Sequence, residues 1–147
     1  MSARSDAATF RRLTREEQRL VVRALLWLPL ISLGLRLFGY GRVQGFLTRK
    51  DAEPRGMTDA AARARSAARL VAAAARRSPT RPTCLPTALT LQWLLRRQGI
   101  ATDLRLGVRR REGKIEAHAW VEHRGEPLPG LEDGTTFAAL EDARALP

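Results

Sequence analysis

The hydrophobic period of this chain changes at Gly99, and that change limits the folds open to it. Before it, Leu85, Ala88, Leu89, Leu91, Trp93, Leu94 and Leu95 recur at helical spacing and leave almost no polar face. Such a pattern predicts a helix buried in the middle of a domain, opening at Cys84 and stopping at Gln98-Gly99 with Gly99 in the left-handed cap. After Gly99 the period is two. Asp103 to Arg109 alternates, as does Lys114 to Glu122, with a turn near Glu112-Gly113, and this reads as an antiparallel hairpin. A second tight turn at Arg124-Gly125 leads into a short strand from Glu126 to Leu128, where Pro127 and Pro129 mark a sheet edge. A buried helix followed by hairpin strands predicts an α+β fold, with the helix packed on a small antiparallel sheet. The tail from Leu131 to Pro147 reads as a loop with one helical turn around Phe137 to Ala143.

Upstream, Thr14-Arg15-Glu16-Glu17 fits a capping box and predicts a helix start. Leu20, Val21, Ala24, Leu25 and Leu28 form its apolar stripe, Pro29 is expected to kink or end it, and Leu30 to Phe38 resumes the pattern until Gly39-Tyr40-Gly41. The longest run without charge, Ala24 to Leu35, is about 12 residues against the roughly 20 a bilayer requires, so no transmembrane segment is expected. Two readings stay open for this section: packing on the main domain, which is the commoner fate of such stripes, or an amphipathic element resting on lipid or a partner protein. Thr58-Asp59 caps an alanine-rich helix reaching about Arg77, with Ala64, Ala67, Ala68, Val71 and Ala75 as a narrow face. Pro79 and Pro82 hold Ser78 to Thr83 extended before Cys84.

A chain of 147 residues allows one compact unit with an appendage. The expected organisation is a helical section over 1–49 with its first ten or so residues disordered, a connector over 50–57, and a core over 58–147. Lys and Arg total 26 against 15 Asp and Glu, a formal charge of +11, which suggests an anionic partner without choosing among nucleic acid, membrane and acidic protein. Cys84 is the single cysteine, so no internal disulfide is available, and no signal-peptide pattern opens the sequence; a cytoplasmic location is the expectation.

The chemistry concentrates on two residues. A thiol at a helix start faces unpaired N–H groups and the positive end of the helix dipole, which favour its thiolate. His118, on the second strand, shares a face with Glu116, Trp120 and Glu122, while Ala117, Ala119 and Val121 line the other. That suits a strand with its core on one side and a cleft on the other, and makes Trp120 a candidate for substrate contact. Thiolate and imidazole together are the minimal apparatus for attack on an acyl carbon, and a third group would fix the imidazole's tautomer. Counting outward from Arg124-Gly125 places Leu131 opposite His118, which puts Asp133 on the face of His118 one diagonal step away; Glu132 could serve if a bulge intervenes.

CLPTALTLQWLLRRQGI, followed by LRLGV and AHAWVE, resembles the stand-alone leader peptidases of lasso-peptide biosynthesis, a bacterial branch of the transglutaminase-like (papain-like) cysteine hydrolases. The resemblance covers about Thr83 to Leu140. It implies removal of a leader segment from a ribosomally made precursor peptide, with a small leader-recognition protein presenting the substrate and an amidotransferase-like lasso cyclase closing the ring. The family's nucleophile maps onto Cys84 and its histidine onto His118. Its acidic residue stands about a dozen positions after the histidine, where this sequence has Gly130, so Asp133 or Glu132 must substitute or a dyad must suffice. The oxyanion would be held by the backbone N–H of Cys84, and no metal or cofactor is required. Two other classes compete. A basic module could bind nucleic acid through Arg96-Arg97 and Arg109-Arg110-Arg111, although aromatics are scarce and no nucleic-acid motif is present, so no nucleic-acid partner is expected. An acyl transferase would keep the same thiol chemistry with a different acceptor.

Overall fold

The computed structural model describes residues 9–48, 56–130 and 138–139. Among the described residues, helical residues 9–12 are followed by four helices ahead of the sheet: α1 (Arg15–Phe38), α2 (Tyr40–Thr48), α3 (Ala60–Arg77) and α4 (Cys84–Arg97). Strands β1 (Asp103–Arg111), β2 (Lys114–His123), β3 (Glu126–Pro127) and β4 (Ala138–Ala139) form one sheet in the order β3-β2-β1-β4, with every pair antiparallel.

The capping box forms at Thr14: its hydroxyl accepts from the Glu17 N–H at 3.2 Å, and the Glu17 carboxylate accepts from the Thr14 N–H at 2.8 Å. From there α1 runs 24 residues and passes through Pro29 without ending. Proline cannot donate to the carbonyl four residues back, that of Leu25. Leu25 lies on the exposed side, where water can take the place of the lost donor. Gly39, at φ +78°, ends the helix. By length and composition alone this helix is long and apolar enough to cross a membrane, a test that core helices of soluble proteins also pass. Its inner side is committed elsewhere: Leu20, Ala24 and Leu28 enter one core with Ala64, Ala68 and Val71 of α3, Leu91 and Leu95 of α4, and Val121 of β2. Ile31 joins Val43 and Leu47 of α2 against Leu89, and Trp27 lies 4.3 Å from Trp93 between ring centroids, tying α1 to α4.

Asp59 precedes α3 at the expected place but makes no side-chain cap bond; its carboxylate turns to Arg63, 3.9 Å away. Alanine dominates the buried face of α3, which brings neighbouring backbone close. The end of α4 is a Schellman motif: the Ile100 N–H donates to the Leu95 carbonyl and the Gly99 N–H to that of Arg96, each at 3.0 Å, with Gly99 at φ +77°. Both hairpin turns have two residues at positive φ, Glu112-Gly113 and Arg124-Gly125, the two-residue geometry that matches strand twist. Pairing runs Gly107 to His118 and His123 to Glu126. Pro127 sits in β3 at the sheet edge, where its missing N–H costs no ladder bond. The tail differs from expectation at Ala138–Ala139, which pair with Val108 and Gly107 as an edge strand rather than a helical turn. The free edge of β1 offers backbone partners that a two-residue stretch of alanine cannot announce by periodicity.

Candidate active site

The loop before α4 is tightly wound. Arg81 holds φ +42°, a left-handed conformation that bulky residues rarely adopt, and its N–H donates to the Ser78 carbonyl at 3.1 Å. The hydroxyls of Ser78 and Thr80 pair at 2.9 Å within the same turn. Pro82 and the extended Thr83 (φ −73°, ψ −178°) then deliver Cys84 as the first residue of α4. Thr83 offers no side-chain cap. Pro86 has no N–H, and the first amide bonded within the helix is that of Thr87, to the Thr83 carbonyl at 3.4 Å. The N–H groups of Cys84 and Leu85 are therefore helix-start donors without an intrahelical partner, directed outward at the end where the dipole is positive. Cys84 is a half-buried free thiol.

An open hollow of about 550 Å³ lies beside Cys84, walled by Ala72, Ala75, Arg76, Arg81, Thr87 and Gly130, among others. Gly130 has φ +91°, and a side chain there would place its Cβ 2.8 Å from the Cβ of Ala72 and 3.5 Å from the Ala68 carbonyl oxygen. The position where the resemblance expects a carboxylate thus reaches the Cys84 hollow, and α3 leaves no room for one. Asp133 and Glu132, the two substitutes, lie outside the described residues.

His118 stands on β2 opposite Gly107, which is itself paired on its other side with Ala139. The His118 Nε2 atom is buried. Strand alternation puts His118 on the face away from Ala119 and Val121, the two residues that pack against α4. Among the described residues, His118 is not part of the wall of the Cys84 hollow. Its neighbour is Trp120, whose ring lies 6.3 Å away between centroids at an interplanar angle of 21°. Trp120 is held in turn: its indole N–H donates to Glu122 at 3.0 Å, and the other oxygen of that carboxylate accepts from Arg105 Nε at 3.0 Å. The same face carries a second pair, Arg109 Nε to Glu116 at 2.7 Å. Sequence parity put Glu116, Trp120 and Glu122 beside His118, and the arginines of β1 that fix the two carboxylates follow from the hairpin register. Arg76, Arg81 and Gly130 were missed as one wall because nothing local to each announces the meeting of α3 with the end of β3.

The second histidine, His123, is buried on the opposite face, and its Nδ1 lies 2.8 Å from the Ala101 carbonyl, which can only accept, so Nδ1 carries the proton. Among the described residues, no group of three or more histidine, cysteine or acidic side chains is placed to hold a metal ion.

A family model of the transglutaminase-like superfamily matches residues 27–142, well over half of the sequence, and the chain belongs to that superfamily. Its members are typically cysteine-dependent enzymes and include cysteine peptidases and acyl transferases. No curated protein and no solved structure matches significantly.

Proposed function

We propose that this protein is a cysteine peptidase that removes the leader from a ribosomally made lasso-peptide precursor. The observation that carries the reading is Cys84 itself: the single thiol of a transglutaminase-like chain, first in a buried helix, beside an open hollow and two outward N–H donors. The motif run from Cys84 to Ile100 and the AHAWVE strand narrow the substrate class by resemblance. The thiolate of Cys84 attacks the scissile carbonyl carbon, and the oxyanion accepts from the Cys84 N–H. This chemistry further requires that His118, which lies outside the wall of the Cys84 hollow, reach the departing amine and give it a proton as the C–N bond breaks, leaving the leader as a thioester on Sγ. Water, losing its proton to His118, hydrolyses that thioester and frees the leader carboxylate. A small recognition protein presents the leader, and the freed amine passes to an amidotransferase-like cyclase. The cationic wall formed by Arg76 and Arg81 would meet acidic residues of the leader or of its carrier.

The test is to mix the protein with precursor and recognition partner and to read product masses. Wild type yields leader and core with one water added across the bond, whereas Cys84→Ala and His118→Ala each remain folded and yield neither. Cleavage at the wild-type rate by Cys84→Ala would refute the proposal. A product carrying a new amide in place of a free amine would assign the acyl-transferase chemistry instead.

A further inference from the structure

The outer side of α1 is apolar and exposed, bordered among the described residues by Phe10, which shares a shallow hollow with Arg15, Arg19, Val22 and Arg23. Val22, Leu26, Leu30, Leu33 and Leu37 form one helical stripe and are 47–65% exposed, opposite the side that carries Leu20, Ala24, Leu28 and Ile31 into the core. At 1.5 Å per residue the stripe is about 22 Å long. It continues toward the N-terminus as Arg15, Arg19 and Arg23, and it is flanked at its far end by Arg36; all four arginines are exposed. None of these four forms an ion pair with a described residue. The only acids of α1, Glu16 and Glu17, lie off this face, where Glu16 engages Arg63 and Glu17 closes the cap at Thr14.

We infer that this face docks in the plane of an anionic phospholipid surface. Charge complementarity points to that occupant. Arg15, Arg19 and Arg23 occupy one i, i+4 row at the positive end of the helix dipole, so they oppose one another and the dipole, and nearby anionic headgroups offset both. The apolar part favours lipid over a protein partner. Between Arg23 and Arg36 the stripe presents only Leu26, Leu30 and Leu33, so a protein partner would find hydrogen-bonding groups at its ends and none along its middle, whereas protein interfaces carry about one hydrogen bond per 100–200 Å². A bilayer makes no such demand and accepts Leu and Val side chains below arginines that reach the headgroups. The helix lies on the membrane and does not cross it, because its opposite side is spent on α3 and α4.

The experiment is flotation of the full-length protein with vesicles of phosphatidylcholine containing phosphatidylglycerol, and with vesicles of phosphatidylcholine alone. The protein floats with the anionic vesicles, is released by alkaline carbonate, and loses at least about tenfold in binding on pure phosphatidylcholine or at high salt. The set Arg15→Glu, Arg19→Glu, Arg23→Glu loses as much, and so does Leu26→Ser, Leu30→Ser, Leu33→Ser, with the circular dichroism of each unchanged. Should the serine set fail to fold, the arginine set alone decides. No flotation with anionic vesicles, flotation that survives the arginine changes, or retention through carbonate would each overturn the inference. So would a soluble dimer that the serine set converts to monomer without any lipid binding, which would assign the face to a second copy of the chain.

Discussion

Gly130 stands where the resemblance to leader peptidases expects a carboxylate, and the structure gives a steric reason for glycine there. A carboxylate introduced there meets two obstacles, the positive φ of +91° and the Ala72 Cβ 2.8 Å from where its own Cβ would sit. Gly130→Asp is therefore expected to lower stability by roughly 1–3 kcal/mol, the usual cost of forcing atoms into a packed site, without raising activity. Thermal melts and cleavage assays run on the same sample check this, and a stable, faster Gly130→Asp enzyme would show that α3 yields more easily than its packing implies. Tyr40 presents the opposite case, a group with too few partners. Its hydroxyl oxygen is buried without a hydrogen-bond partner among the described residues, and desolvation raises its pKa above the ordinary phenol value of 10.0. The sign follows from the raised folded-state value: stability is fully present below the unfolded pKa and is lost as pH rises through the folded one, because the unfolded chain ionises first. Tyr40→Phe should thus gain up to about 1 kcal/mol near neutrality and lose less stability than wild type on the alkaline side. Tyr40 is the single tyrosine, so ultraviolet difference titration reads its ionisation without interference.

At the scale of elements, the signals that held are those whose cause is local. The Thr14 capping box, the Gly99 Schellman motif and the two positive-φ turns each need only neighbours within a few residues, and each was readable from the string. The pairing of His123 with Glu126 followed from the second turn for the same reason. What the string hid depends on distant partners. Pro29 reads as a break, but α1 is held on both sides of it by Leu28 and Ile31 in the core, and tertiary packing outweighs one missing backbone bond. β4 exists because β1 has a free edge, which no property of Ala138 or Ala139 reveals. In the candidate site, the placement of Cys84 at a helix start and of His118 on the strand face it shares with Trp120 was legible, because helix start and strand parity are local. The wall that joins Arg76, Arg81 and Gly130 was not, since three segments meet there only after α3 has packed.

Over the whole molecule, helices on either side of the 50–57 connector contribute to one hydrophobic cluster. Leu28 of α1 is fully buried in the same cluster as Val71 of α3, Leu95 of α4 and Val121 of β2, so the N-terminal helix is one wall of the hydrophobic core. Cooperativity follows from that continuity, because no part of the cluster can open without exposing the rest. Truncating the buried side chain in Leu28→Ala should cost about 2–5 kcal/mol, and for a chain of this size that lowers Tm on the order of 10 °C. The three tryptophans report on different elements, Trp27 on α1, Trp93 on α4 and Trp120 on β2. A single continuous core predicts that their fluorescence and the far-ultraviolet circular dichroism change together in wild type and in Leu28→Ala alike, with one midpoint each. An early transition in Leu28→Ala seen by Trp27, with Trp120 unchanged until a higher temperature, would instead make α1 a separately melting layer. In that case its removal should leave Cys84 and His118 on a folded remainder.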